Sequence, residues 1–408
     1  MDHLETKEQV FLQSHKLHGA ALVRDHRCIL ILLPLLLICP VSIAQSPAPA
    51  KLANPVPEPA VSAILAAFDK YQVVGLPQGH GNQDLDNFIL SLIRDPLFSA
   101  KVNDIEFECG NSLYQPTLDR YIAGEDVPFK ELQKVWRKMG EPACADSGFV
   151  EQFFPLVRAL NQKVTPDKHV RVLAGDPAID WDQIKNLEDV MRRVDREASI
   201  ASVMEKEVLS KHRKALMLFG TFHLMHGTGN AVSMFEKNYP DVTFIVSDLG
   251  IFDTDLRYLS DSKFAQWPIP AVARTKGTWL GALDLTQFVP PPIAINGDCK
   301  VQSSFPDKLQ KPMEELVDAF LYLGPQDLLL KEKLPADIAL DDDHRIESQR
   351  VARMMGFPRA SATPEQFDRE IVDSAANPFF VIPKSPPALD LSKAIQACLD
   401  MKARSNPH

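Results

Sequence analysis

Six short apolar runs, at 72–75, 104–108, 170–174, 215–220, 242–247 and 319–323, constrain the fold more than any other feature. Each is too short for a buried helix, and each predicts a strand covered on both faces. Helical patterns lie between them. Leu85, Phe88, Ile89, Leu92 and Ile93 follow i, i+3, i+4, i+7, i+8 spacing, and Ile200, Val203, Met204, Glu207 and Val208 nearly do. Strands alternating with helices predict an α/β fold, a mostly parallel central sheet flanked by helices. The 408-residue chain is 45% hydrophobic, enough to fill such a core. Its net charge of -10 argues against a nucleic-acid surface, leaving a small-molecule or peptide substrate as the expected partner.

The amino end predicts targeting. Residues 28–44 are uncharged and apolar, and Ser42-Ile43-Ala44 has the small-x-small form of a cleavage site. Seventeen residues broken by Pro34 and Pro40 are short for a ~30 Å hydrocarbon core. Residues 1–44 therefore read as a signal peptide, with an uncleaved membrane anchor as the rival, and the chain as periplasmic or secreted. A Pro/Ala-rich linker follows at 45–62. The α/β domain is expected at 63–333, with a helical extension at 334–408 packed on it. Asp341 to Asp343 open a helical pattern there, where the helix dipole explains them better than a metal does. Beyond the targeting segment, Cys109, Cys144, Cys299 and Cys398 allow three pairings, and no CxxC spacing suggests a zinc knuckle.

In open parallel sheets ligands gather beyond the carboxyl ends of the strands. There the predicted strands deliver His80, then Glu106 and Glu108, then Asp176, then His223 and His226. Each has an ordinary reading as well. His80 and Asp176 could be turn residues. Glu106 and Glu108 share one face of their strand, where a carboxylate is costly unless partnered. His223 and His226 would share one side of a helix beginning there, the arrangement that metal ligation or shared proton transfer requires.

These segments also resemble a known group. "VVGLPQGHGNQDLDNFILSLI" is similar to the amino-terminal motif of the erythromycin esterase-like proteins, and "IEFECGNSLYQPTLDRYIAG" to their second motif. "DREASIASVMEKEVL" resembles the group's helix with an Arg-Asp pair, here Arg196 and Glu197, and "LFGTFHLMHG" its His-x-x-His strand. The same outline, especially Gly220 to His223, recurs in haem-uptake ChaN-like and TraB/TIKI-type proteins. The resemblance implies His80 as general base, Glu108 as its partner, and His223 and His226 as binding or stabilising groups. Arg196 would face developing negative charge, with Glu106 and Asp176 as further stabilising candidates. Two departures weaken a macrolide substrate: Gln78 stands where the esterases have a glutamate, and Asn111 and Ser112 stand near a missing second acid.

The chemistry this implies is hydrolysis of an ester or amide by activated water, since no Gly-x-Ser-x-Gly elbow is present. His80, Glu108 and His223 could instead be the ligand set of a divalent metal. A haem- or metal-binding protein without catalysis, or a decayed enzyme, are the alternatives.

Overall fold

A computed structural model describes residues 52–355, apart from 79, 187, 190–194, 249–262, 289–292, 296–298, 304 and 336, with a few positions beyond 355. The targeting segment 1–44 lies outside the described residues, as do Cys398 and most of the carboxyl tail. Among the described residues no helix is long and apolar enough to cross a membrane.

The strands in chain order are β1 (Pro57–Pro59), β2 (Val73–Pro77), β3 (Asp104–Asn111), β4 (Arg171–Asp176) and β5 (Ala215–Phe219). They continue with β6 (Thr243–Asp248), β7 (Ala271–Arg274), β8 (Ile293–Ile295), β9 (Val301–Ser303) and β10 (Ala319–Tyr322). All six expected strands form. The main sheet runs β1-β7-β10-β6-β2-β5-β3-β4, while β8 and β9 pair separately. From β10 to β4 every neighbour is parallel, and β7 and β1 close one edge antiparallel. The fold is thus the expected mostly parallel sheet between helices. β7 and β1 have no strong apolar run of their own, and antiparallel pairing at an edge demands less.

Of the expected linker at 45–62, residues 45–51 lie outside the described residues. Ala53 bridges to Thr278, and Pro57–Pro59 pair with Ala271–Ala273, so the end of the Pro/Ala tract is an edge strand. Proline is tolerated there because an edge needs fewer ladder donors. The start of the carboxyl segment contacts the residues before it. The Arg350 guanidinium donates to the carbonyls of Trp181 and Ile184, and His344 Nε2 meets Asp146 Oδ1 at 2.8 Å. Asp341 accepts from the His344 N–H at 3.0 Å and from Arg137, so it caps the helix Asp342–Met355.

Alternation along β3 divides the two faces of the sheet. Ile105, Phe107 and Cys109 join one apolar layer, where Phe107 lies 6.0, 4.9 and 5.9 Å from the rings of Phe149, Phe153 and Phe154. Asp104, Glu106 and Glu108 face the other layer. At its lower end Asp104, fully buried, is held by Arg171 and Arg213, each at 2.6 Å. The helix Gln83–Arg94 covers the first face with all five predicted apolar positions buried, and Asn82 caps it by accepting from the N–H groups of Asp84 and Leu85.

Removing Phe107 would empty the centre of the aromatic cluster. Phe107→Ala is expected to lower the unfolding free energy by about 3–5 kcal/mol. Urea denaturation followed by far-UV circular dichroism checks this, and a change below about 1 kcal/mol would contradict the packing described.

Candidate functional site

β2, β5, β3 and β4 are consecutive in the sheet, so their carboxyl ends bring four loops to one stretch of rim. Glu108, near the end of β3, stands at its centre with a side chain 4% exposed. Its Oε1 accepts from Arg196 Nη2 at 2.9 Å, and its Oε2 accepts from the Gly220 backbone N–H at 2.5 Å, just past β5. His80 Nε2, beyond β2, lies 3.8 Å from Oε2, and His223 Nε2 lies 3.5 Å from Oε1. Asp176, the last residue of β4, accepts from Arg196 Nε at 2.5 Å.

Local sequence explains these placements. Asp195 caps the helix Arg196–Val203 by accepting from the Ala198 N–H, which puts Arg196 and Glu197 in the first turn, over the strand ends. That helix runs into a π turn at Met204–Val208. Gly81, at φ 89°, takes the left-handed turn after His80. The Glu332 carboxylate accepts from the N–H groups of Gly81 and Phe149, joining the His80 loop to the helix Gly148–Asn161.

The electrostatics follow from these contacts. Burial pushes the Glu108 carboxyl up, but His223 and His80 outweigh it and hold the group well below the usual carboxylate range. Burial would lower His223, yet hydrogen bonds to Glu108 and Glu197 raise it to about 9. Its Nδ1 lies 2.5 Å from Glu197 Oε1, and its Nε2 lies 3.0 Å from Arg196 Nη1. Arg196 can only donate, so in the neutral ring Nε2 accepts and Nδ1–H goes to Glu197. Once protonated, the ring has Glu108 Oε1 as the acceptor for Nε2–H. His80 is also raised: burial would lower it, and Glu108 more than offsets that. Asp176 is raised by burial and by Glu108, against the pull of Arg196.

Of the residues picked out from sequence, His80, Glu108, Asp176, Arg196 and His223 are brought together. Two are not. The helix begun at Thr221–Leu224 ends before Met225, so His226 lies past it and the two histidines do not share a helix face. His226 Nδ1 and Nε2 instead contact Glu236 and Asp318 at 2.9 and 3.0 Å, tying three segments together away from Glu108. Glu106 lies one pleat below Glu108, fully buried, and neither of its oxygens has a hydrogen-bond partner. Burial drives its pKa well up, so it is a neutral acid that touches no group of the rim.

The metal set His80, Glu108 and His223 also needs correction. A guanidinium, Arg196, already occupies Glu108 Oε1 and His223 Nε2, and a cation could bind there only by displacing it. The group of His, Cys and carboxylate atoms lying within 4.8 Å of one another among the described residues is a different one, His80, Cys109 and Cys144.

Two features of the site had no role in the sequence reading. Glu197 clamps His223 and accepts from the Ala231 N–H at 2.7 Å; its only sequence signal was its place beside Arg196. The second is a Cys109–Cys144 disulfide next to His80. Cys299 is disulfide-bonded as well. Gln78 is buried with its Nε2 donating to Cys109 Sγ at 3.3 Å, and Asn111 is a structural amide, bonded to the carbonyls of Lys138 and Ile179.

No known protein family matches the chain, and no curated protein matches it. Among solved structures it is similar to a Bacillus cereus protein at 9% identity and TM-score 0.43, over 69% of this chain and 97% of that one. A succinoglycan biosynthesis protein is similar at 10% identity and TM-score 0.42, over 66% and 94%. ChaN of Campylobacter jejuni, solved with cofacially bound haem, is similar at 12% identity and TM-score 0.30, over 46% and 84%.

The neutral state of Glu106 has a measurable sign. Its folded pKa lies above its unfolded value of 4.5, so the folded state holds the extra proton and the group's contribution to stability falls as pH rises above 4.5. Glu106→Gln removes this term. The variant is expected to lose less stability than wild type as pH rises above about 5, by up to about 1.4 kcal/mol per pH unit. Parallel urea titrations across that range would contradict the assignment if the two curves had equal slopes.

Proposed function

We propose that this chain is a hydrolase that activates water on an ester or amide, with His80 as general base. The observation that carries this reading is the division of labour between the nitrogens of His80. Nε2 faces Glu108, whereas Nδ1 is buried and without a hydrogen-bond partner. Glu108, held ionised, favours the tautomer with the proton on Nε2, which leaves the Nδ1 lone pair free to accept a proton from water.

Arg196 and protonated His223 supply positive charge beside the base. They would stabilise the oxyanion that forms when water adds to a carbonyl. Glu197 keeps His223 oriented and protonated, and Asp176 fixes the guanidinium through Nε. The leaving group would take its proton from the His80 imidazolium.

A second reading rests on the same atom. A haem iron or a divalent metal needs an uncommitted imidazole nitrogen, and both nitrogens of His223 are engaged, so a bound cofactor would use His80. Export to the periplasm or beyond remains part of the proposal, supported by segment 28–44 and by disulfides, which persist in oxidising compartments.

With an ester and amide panel, His80→Ala and Glu108→Gln are each expected to lower kcat by about 10²–10⁴-fold. The rate should rise with pH as His80 deprotonates and fall again near pH 9 as His223 loses its proton. Equal, background-level turnover by wild type and His80→Ala would end the hydrolase reading. A sharp Soret band on adding haem to wild type, lost in His80→Ala, would favour the binding protein.

A further inference from the structure

His80 stands between two different surroundings. On one side is Glu108; on the other are Cys109 and Cys144, whose sulfurs and a nitrogen of His80 all lie within 4.8 Å of one another. The two sulfurs are joined in a disulfide, with Cα atoms 5.1 Å apart. Reduction would leave two thiols and an imidazole converging from three separate elements: β3, the short helix Pro142–Ala145 and the turn after β2.

We propose that the reduced pair Cys109 and Cys144, with His80, forms a binding site for a tetrahedral divalent metal of the zinc class, which the disulfide keeps closed. Zinc takes thiolate sulfur at about 2.3 Å and imidazole nitrogen at about 2.0–2.1 Å, so its ligand atoms stand roughly 3.5–3.8 Å apart. The observed group needs only the sulfurs to separate from bonding distance and the ring to settle inward. A dithiol reductant transfers two electrons and two protons to the disulfide, leaving itself as a cyclic disulfide and the protein with two thiols. The metal then replaces both thiol protons, which pass to solvent.

The His80 atom for this role is Nδ1, the buried ring nitrogen without a partner, because Nε2 is turned to Glu108. An ionised carboxylate behind the other ring nitrogen is the usual support of a metal-binding imidazole. A fourth donor is also at hand. Gln78 Oε1 lies 3.5 Å from Cys109 Sγ, a contact that cannot be a hydrogen bond while that sulfur is in a disulfide. An amide oxygen there gives the site a neutral donor where a carboxylate would have added charge. Cys109 and Cys144 are fully buried, and His80, with a side chain 28% exposed, forms the open side. The inference goes beyond hydrolysis and does not depend on it: the same ring would serve as a base in the oxidised chain and as a ligand in the reduced one.

The test reads metal directly. The full chain is reduced with a phosphine, desalted without oxygen, incubated with zinc and desalted again, with circular dichroism recording that it is folded. Reduced protein should retain about one zinc per chain, oxidised protein essentially none, and cobalt in place of zinc should give thiolate charge-transfer absorption. In the reduced state His80→Ala should weaken zinc binding by at least about 10–100-fold. Because Cys299 is also in a disulfide, the double variant Cys109→Ser, Cys144→Ser is the decisive control. Uptake by that variant equal to wild type, no uptake by reduced wild type, or a reduced chain that stays unfolded with zinc would each overturn the proposal.

Discussion

A carboxylate held ionised inside the protein is the constraint on which the rim depends. Burying one ion without compensation costs several kcal/mol, and Glu108 is 3% exposed. The chain answers with donors from three directions: the Arg196 guanidinium, the Gly220 N–H and the imidazoles of His223 and His80. Each answer fixes an element. Arg196 can reach Glu108 only because its helix starts at Asp195, and the Gly220 N–H is available only because β5 stops at Phe219. A network satisfied at this many points is rigid.

Glu106 shows what happens without such donors. It lies about 6.6 Å along the same strand from Glu108, on the same face and equally buried, yet no cation or N–H reaches it. The two carboxyls are therefore in opposite protonation states: Glu106 neutral, Glu108 ionised. Burial alone does not separate them, since it acts on both in the same direction. Their partners do. Asp104, two residues earlier, meets its own pair of arginines, so charge along this face of β3 alternates with where the cations are placed.

Much of this was legible in the sequence because parallel strands are buried on both faces and announce themselves as short apolar runs. All six were visible for that reason, and with them the rim to which His80, Glu108, Asp176 and His223 come. Edge strands such as Pro57–Pro59 carry no such signal, because their register is set by the neighbour they pair with. The pairing of His223 with His226 failed at a boundary. Three-residue spacing implies one helix face only while the helix lasts, and here it lasts four residues. Glu197 was hidden for a different reason: an acid in the first turn of a helix is ordinary chemistry, and only the fold brings His223 to it. The Cys109–Cys144 bond links positions 35 residues apart, and nothing in their spacing selects it among the pairings of four cysteines.

Gln78 brings these points together. Where a carboxylate would need a cation, Arg196 is already committed to Glu108, Asp176 and His223. The buried side chain lies instead against the sulfur of Cys109, which can accept a weak hydrogen bond from an amide and can give nothing to a carboxylate. A neutral amide thus suits this buried position against the sulfur of Cys109. The consequence falls on His80, which has Glu108 on Nε2 and the sulfurs of Cys109 and Cys144 near the ring. Its basicity is set by burial and Arg196, which lower it, against Glu108 and, less strongly, Glu141, which raise it, whereas His223 has a carboxylate at each of its two nitrogens.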